Sequence, residues 1–165
     1  MKSSEENLLD NIHSNSGIGK KIGIVKSLWN SKITDRLYTG CKDTFLKYGV
    51  DINNIHTLLV PGSFELIHGG KKLHNSVSLD AIILIGSIIK GETPHFEFIS
   101  QSIINGAKDL NIKKDAPPII LSVSTDLNQE QALDRAGGKF GNKGSDGALT
   151  ALHLISQQHK LFYSF

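Results

Sequence analysis

One cysteine, one methionine, one tryptophan and four prolines are all that the 165 residues hold of these types. A lone cysteine, Cys41, excludes an intrachain disulfide and any metal cage built from cysteines. Charge of one sign is scarce as well: 18 Lys and Arg stand against 16 Asp and Glu. No basic run is longer than two residues, so the sequence offers no footprint for nucleic acid or for a membrane surface. The longest nearly apolar run, Ala81 to Ile89, falls far short of the roughly 20 residues needed to span a bilayer. Met1 to Asp10 is acidic and polar, without the apolar segment of a secretory signal, and a cytoplasmic protein is expected. Six of the seven histidines show no metal-ligand spacing with one another or with carboxylates. They read as solvated or packed side chains.

What is present is the composition of a globular domain, 39% apolar and 21% charged, in a chain long enough for one substantial core. Residues 1–20, rich in Asn, Ser and Gly, read as a flexible arm, and residues 21–165 as a single domain. From Lys21 onward, strand and helix patterns alternate. Ile22 to Val25 is a short β-prone run. Asn30 and Ser31 then offer N-caps to a helix whose apolar face is Ile33, Leu37, Cys41, Phe45 and Tyr48, closed by Gly49. Ile55 to Val60 is a second strand, followed by a helix through about Leu73. Ala81 to Ile85 is apolar at every position, as in a strand covered on both faces. Thr93 as N-cap and Pro94 at the first helical position announce a helix that buries Phe96, Ile99, Ile103, Ala107 and Leu110. A fourth strand, Ile119 to Val123, precedes a helix from about Asn128 to Ala136. A last helix, from about Ser145 to Gln158, buries Ala148, Leu152 and Ile155. Four alternations predict a four-stranded parallel sheet with helices on both faces, joined by right-handed crossovers.

In such sheets ligands bind beyond the carboxyl ends of the strands. The segments leaving those ends are Trp29-Asn30, Pro61 to Glu65, Gly86 to His95, and Ser124 to Asp126. Two nucleotide signatures fail on inspection. Gly17-Ile18-Gly19 precedes the first strand and lacks a third glycine, and Gly138 to Lys143 lacks the spacing of a phosphate loop. His95 can be a plain surface histidine, but a helix start offers a second reading. The positive end of the helix lowers an imidazole pKa and a bound phosphate raises it, and a group between those influences exchanges protons near neutrality. Arg135, Lys139 and Lys143 surround a glycine-rich turn. They are either solvated cations or an anion site. Trp29 can pack in a core or stack on a flat heterocycle.

Several stretches together resemble the lumazine synthases. These are Trp29-Asn30-Ser31-Lys32-Ile33-Thr34, Val60-Pro61-Gly62-Ser63-Phe64-Glu65-Leu66, Gly91-Glu92-Thr93-Pro94-His95-Phe96-Glu97-Phe98, and Arg135 to Gly144. The match runs from about Lys21 to Gln158 in order and spacing. The resemblance implies a flavodoxin-like three-layer α/β/α sandwich and a cofactor-free, metal-free condensation of two small-molecule substrates. These are 5-amino-6-(D-ribitylamino)uracil and 3,4-dihydroxy-2-butanone 4-phosphate, and the product is 6,7-dimethyl-8-ribityllumazine. It further implies that His95 moves protons, that Trp29 stacks on the pyrimidine, and that Ser63, Phe64 and Glu65 hold the ribityl chain. Ser87, Ile88 and Ile89 would face the uracil edge. Glu92 and Thr93 would line a phosphate pocket charged by Arg135 and Lys143. Leu121 departs from the pattern, since the family commonly has phenylalanine against the heterocycle there. Members assemble as pentamers with active sites between subunits, and in some of them twelve pentamers close an icosahedral shell. The turn Gly137 to Gly144 lacks the insertion of many members that stop at pentamers, which favours the shell. Two other readings stay open: an archaeal-type riboflavin synthase acting on two lumazines, and a catalytically silent flavin-binding or shell-forming relative.

Overall fold

Strands form where apolar and β-branched residues run together, and four of them pair in parallel in this computed structural model, which describes residues 12–160. They are β1 (Ile22–Ser27), β2 (Ile55–Val60), β3 (Ala81–Ile89) and β4 (Ile119–Asp126), in the order β2-β1-β3-β4. This is the doubly wound arrangement, in which the chain starts in the middle and reverses direction between β2 and β3. The helices are α1 (Ser31–Lys47), α2 (Leu66–Ser76), α3 (His95–Asn111), the short α4 (Gln129–Asp134) and α5 (Lys143–Lys160). A small antiparallel hairpin, β5 (Ala136–Gly138) with β6 (Gly141–Asn142), joins α4 to α5.

Each face of the sheet carries its own core. On one side Ile33, Leu37, Cys41 and Phe45 of α1 meet Ala148, Leu152 and Ile155 of α5 over Ile22, Ile24, Ile83 and Ile85. On the other, Leu66 and Leu73 of α2 meet Ile103, Ala107 and Leu110 of α3 over Val25, Ile82, Leu84 and Val123. The three layers are therefore α1 and α5, the sheet, and α2 with α3. Burial of Cys41 pushes its thiol pKa far upward, so it acts as a small apolar side chain of the first core.

Several boundaries differ from the sequence reading. β3 continues past Ile85 to Ile89 and β4 past Val123 to Asp126 because the two pair residue by residue as far as Ile89 with Asp126. Thr93 makes no capping hydrogen bond; Pro94 occupies the capping position and α3 starts at His95. Asn30 does precede α1, but its side chain does not cap the helix. Phe96 and Ile99 are only partly buried. The basic turn is the β5–β6 hairpin, held by Lys143 N–H donating to the Arg135 carbonyl at 2.9 Å. Asn142 Oδ1 then accepts from the Gly144 and Ser145 amides, which starts α5 two residues before the expected Ser145.

The expected arm lies partly outside the described residues. From Ile12 the chain lies on the domain: Ile12 packs on the α1–α5 core and Gly17 N–H donates to the Tyr48 carbonyl at 2.9 Å.

Candidate active site

The carboxyl ends of β1, β2 and β3 open onto one cleft of about 450 Å3. β1 and β2 stay paired beyond their strands, with Leu28 N–H on the Val60 carbonyl at 2.8 Å and Trp29 N–H on the Pro61 carbonyl at 3.0 Å. That pairing holds the Trp29 backbone while its indole stays 72% exposed at the cleft edge. After β2, Gly62 N–H donates to Glu65 Oε2 at 2.9 Å, so Glu65 clasps the loop that carries Ser63 and Phe64. Ser63 is buried and Phe64 is exposed beside it. Ser63 can sit there because β3 has Gly86 opposite. A Cβ on Gly86 would come within 2.7 Å of the Ser63 hydroxyl.

β3 supplies the floor through Ser87, Ile88 and Ile89. The Ser87 hydroxyl is buried without a partner among the described residues, a hydrogen-bonding capacity left unused beside the cleft. Asn30, which the sequence reading treated as a cap, donates from Nδ2 to the Ser87 carbonyl at 3.0 Å. It does so from a left-handed conformation, φ 57°, and so ties the start of α1 to the end of β3. The loop after β3 is steadied by an ion pair of Lys90 Nζ with Glu97 Oε1 at 3.1 Å. A backbone hydrogen bond and that lysine hold the Glu97 carboxyl below the usual carboxylate range. His95, the first residue of α3, completes the cleft wall with Ile99.

Trp29, Ser63, Phe64, Glu65, Ser87, Ile88, Ile89 and His95 thus share one cleft. Five other expected site residues do not line it. Arg135 and Lys143 line a separate polar cavity of about 210 Å3 with Ser124, Thr125 and Asp126. Leu121 is partly buried against the α2–α3 core. Its strand, β4, is the edge of the sheet. Glu92 and Thr93 are exposed on the loop before α3 and line neither space. Asn30, Gly62 and Ile99 join the cleft without having been assigned to it. Asn30 carried a signal, since an asparagine in a short strand-to-helix loop tolerates left-handed backbone.

Chemically, the cleft combines an aromatic platform, hydrogen-bonding groups with an acid at the base of a loop, and an imidazole at a helix start. The separate cavity supplies two cations suited to a phosphate. Among the described residues, no three His, Cys, Asp or Glu side chains group to hold a metal ion, and no helix is long and apolar enough to cross a membrane.

Comparison with known proteins gives this chemistry a family. The family model described as 6,7-dimethyl-8-ribityllumazine synthase matches residues 19–159. Curated proteins of that name resemble the chain over most of its length. The one from Flavobacterium johnsoniae is 43% identical over 147 residues, covering 88% of this chain and 77% of the relative. That from Christiangramia forsetii is 47% identical over 135 residues, 81% of this chain and 80% of the relative. That from Cytophaga hutchinsonii is 41% identical over 158 residues, 95% and 99% of the two chains. The fold, the order of the motifs and these likenesses agree: the chain belongs to the 6,7-dimethyl-8-ribityllumazine synthase family.

Proposed function

We propose that the protein condenses 5-amino-6-(D-ribitylamino)uracil with 3,4-dihydroxy-2-butanone 4-phosphate to 6,7-dimethyl-8-ribityllumazine, releasing phosphate, as the penultimate step of riboflavin biosynthesis. The observation that carries this reading is the single cleft shared by Trp29, Ser63 to Glu65, Ser87 to Ile89 and His95. Trp29 stacks on the pyrimidine, the β3 residues face its polar edge, and Ser63 to Glu65 hold the ribityl chain. The 5-amino group attacks the ketone and water leaves to form an imine. Loss of a proton beside the imine then drives out phosphate. The enol left by that elimination tautomerises to a ketone, the ribitylamino nitrogen attacks it, and a second water departs as the ring closes. His95 moves the protons of imine formation and elimination. Arg135 and Lys143 grip the phosphate, with Glu92 and Thr93 beside it, and Leu121 adds an apolar wall without a stacking face.

The reading includes a homo-oligomer whose sites lie between subunits. Within one chain the His95 cleft and the Arg135–Lys143 cavity share no lining residue, so a neighbour's cavity brought against the cleft would complete the pocket. A pentameric ring supplies such heterologous contacts at every interface, and the short β5–β6 hairpin supports closure of twelve pentamers into a shell. Sedimentation would separate five chains of 18.0 kDa from sixty. The lone buried Cys41 fits a cytoplasmic location.

Absorbance of lumazine formed from the two purified substrates tests the reaction, with phosphate released one for one. Arg135→Ala is expected to raise the KM for the butanone phosphate far more than that for the pyrimidine, because only the former carries a phosphate. No lumazine from the pair, or riboflavin formed from lumazine alone, would overturn the assignment.

A further inference from the structure

A buried acid stands beside the two cations, and the condensation as described gives it no task. Asp126 ends β4 and is 5% exposed. The hydroxyl of Ser124, itself 1% exposed, donates to Asp126 Oδ2. Lys90 N–H fixes the Asp126 backbone by donating to its carbonyl at 2.9 Å. Alternate residues of a strand face the same way. Ser122 abuts Gly147 of α5, so Ser124 and Asp126 look toward the same layer, where the cavity also holds Arg135 and Lys143. Among the described residues, no hydrogen bond or ion pair joins the Asp126 carboxylate to either cation. Ser124 holds the acid, and on α5 a second carboxylate, Asp146, also feels both cations, which temper the upward push of burial on its pKa.

We propose that Asp126 sets the phosphate affinity of this cavity: its fixed negative charge weakens the hold of Arg135 and Lys143 on phosphate. The inference rests on the reading of that cavity as a phosphate site and deepens it. Phosphate enters as part of a substrate and leaves as a free product, so a pocket whose cations faced no buried carboxylate would hold that product more tightly. A carboxylate held at cavity distance from the ligand lowers the local potential without neutralising the donors that orient the phosphate. A tethered acid does this better than a mobile one, because an untethered carboxylate could swing onto Arg135 and occupy its donors.

Asp126→Asn tests this, since the amide oxygen still accepts from Ser124 while the charge is gone. The assembled enzyme is titrated with inorganic phosphate as a competitor of the butanone phosphate. The inhibition constant of phosphate and the KM of the butanone phosphate are both expected to fall roughly tenfold, as removing one charge near a dianion implies. The KM of the pyrimidine should stay unchanged, and the phosphate effect should shrink as salt is raised. Unchanged or weaker phosphate binding in Asp126→Asn overturns the proposal, weaker binding meaning that Asp126 orients the cations instead. If that variant does not fold, Asp126→Thr, neutral and able to pair with Ser124, is expected to move phosphate inhibition the same way. Arg135→Ala separates the two levels of the argument. Loss of phosphate inhibition there, without tightening in Asp126→Asn, sinks only the role of Asp126. Undiminished phosphate inhibition in Arg135→Ala removes the phosphate site itself.

Discussion

Trp29 and His95 enter the cleft from different elements and illustrate two kinds of exposure. The indole is held by its backbone and left open on its face, as a stacking platform must be, whereas His95 is an exposed first-turn residue of α3. His95→Ala should therefore leave stability unchanged and lower turnover by roughly a hundredfold, the scale of losing a positioned acid–base group. Steady-state kinetics with each substrate varied in turn check this, and near wild-type turnover would remove His95 from the mechanism. Asn30 is different in kind, because its work is internal. Asn30→Ala loses the hydrogen bond to the Ser87 carbonyl and puts a Cβ-bearing residue without a polar side chain at φ 57°, a combined cost of about 2 kcal/mol. Asn30→Gly keeps the backbone relaxed and should cost about half of that. Urea denaturation at matched protein concentration separates the two, and equal midpoints would mean that the left-handed backbone carries no strain. Trp29 is the only tryptophan, so its fluorescence reports the same site.

Among the elements, α1 and α5 pack so closely that one glycine is indispensable. A Cβ on Gly144 would stand 1.9 Å from the Leu37 carbonyl oxygen, and backbone cannot yield as a side-chain tip can. Gly144→Ala is expected to destabilise the fold by about 3 kcal/mol, the upper range of overpacking. Gly91→Ala, where a Cβ meets nothing within 4 Å, should be nearly neutral. Thermal melts of the pair decide, and similar melting temperatures would contradict the close approach. The apolar periodicity of α1 was fully legible in the sequence because Ile33, Leu37, Cys41 and Phe45 face a single core. The ends of β3 and β4 were not. Gly86-Ser87 interrupts the fully apolar run and reads as the start of the segment leaving the strand, and only pairing with β4 across the sheet carries the strand on to Ile89. Thr93 failed as a cap because the helix begins one residue later than local chemistry proposes, at His95.

At the scale of the molecule, the separation of the His95 cleft from the Arg135–Lys143 cavity sets the most demanding test. Inactive His95→Ala and Arg135→Ala proteins, unfolded together and reassembled in equal amounts, pair an intact His95 with an intact Arg135 at about a quarter of the interfaces of a ring. Activity should return to about that fraction of wild type. If each chain used its own pair of residues, every site would carry a lesion. Persistent inactivity in demonstrably mixed oligomers would refute sharing between subunits.

The sequence by itself determined the alternation of strands and helices, the two-sided burial of β3, and the motifs that mark the family. Each of these is written in local periodicity or in a contiguous run of residues. Tertiary structure alone decided which of those motifs meet. Trp29, Ser63, Ser87 and His95 converge because β1, β2 and β3 are neighbours in the sheet, and Arg135 and Lys143 join Asp126 because α4 and the hairpin fold back beside β4. Asn30 shows the difference in one residue. Its neighbours in sequence suggest a helix cap, but the carbonyl it actually holds belongs to Ser87, 57 residues away, and no local pattern encodes a partner at that distance.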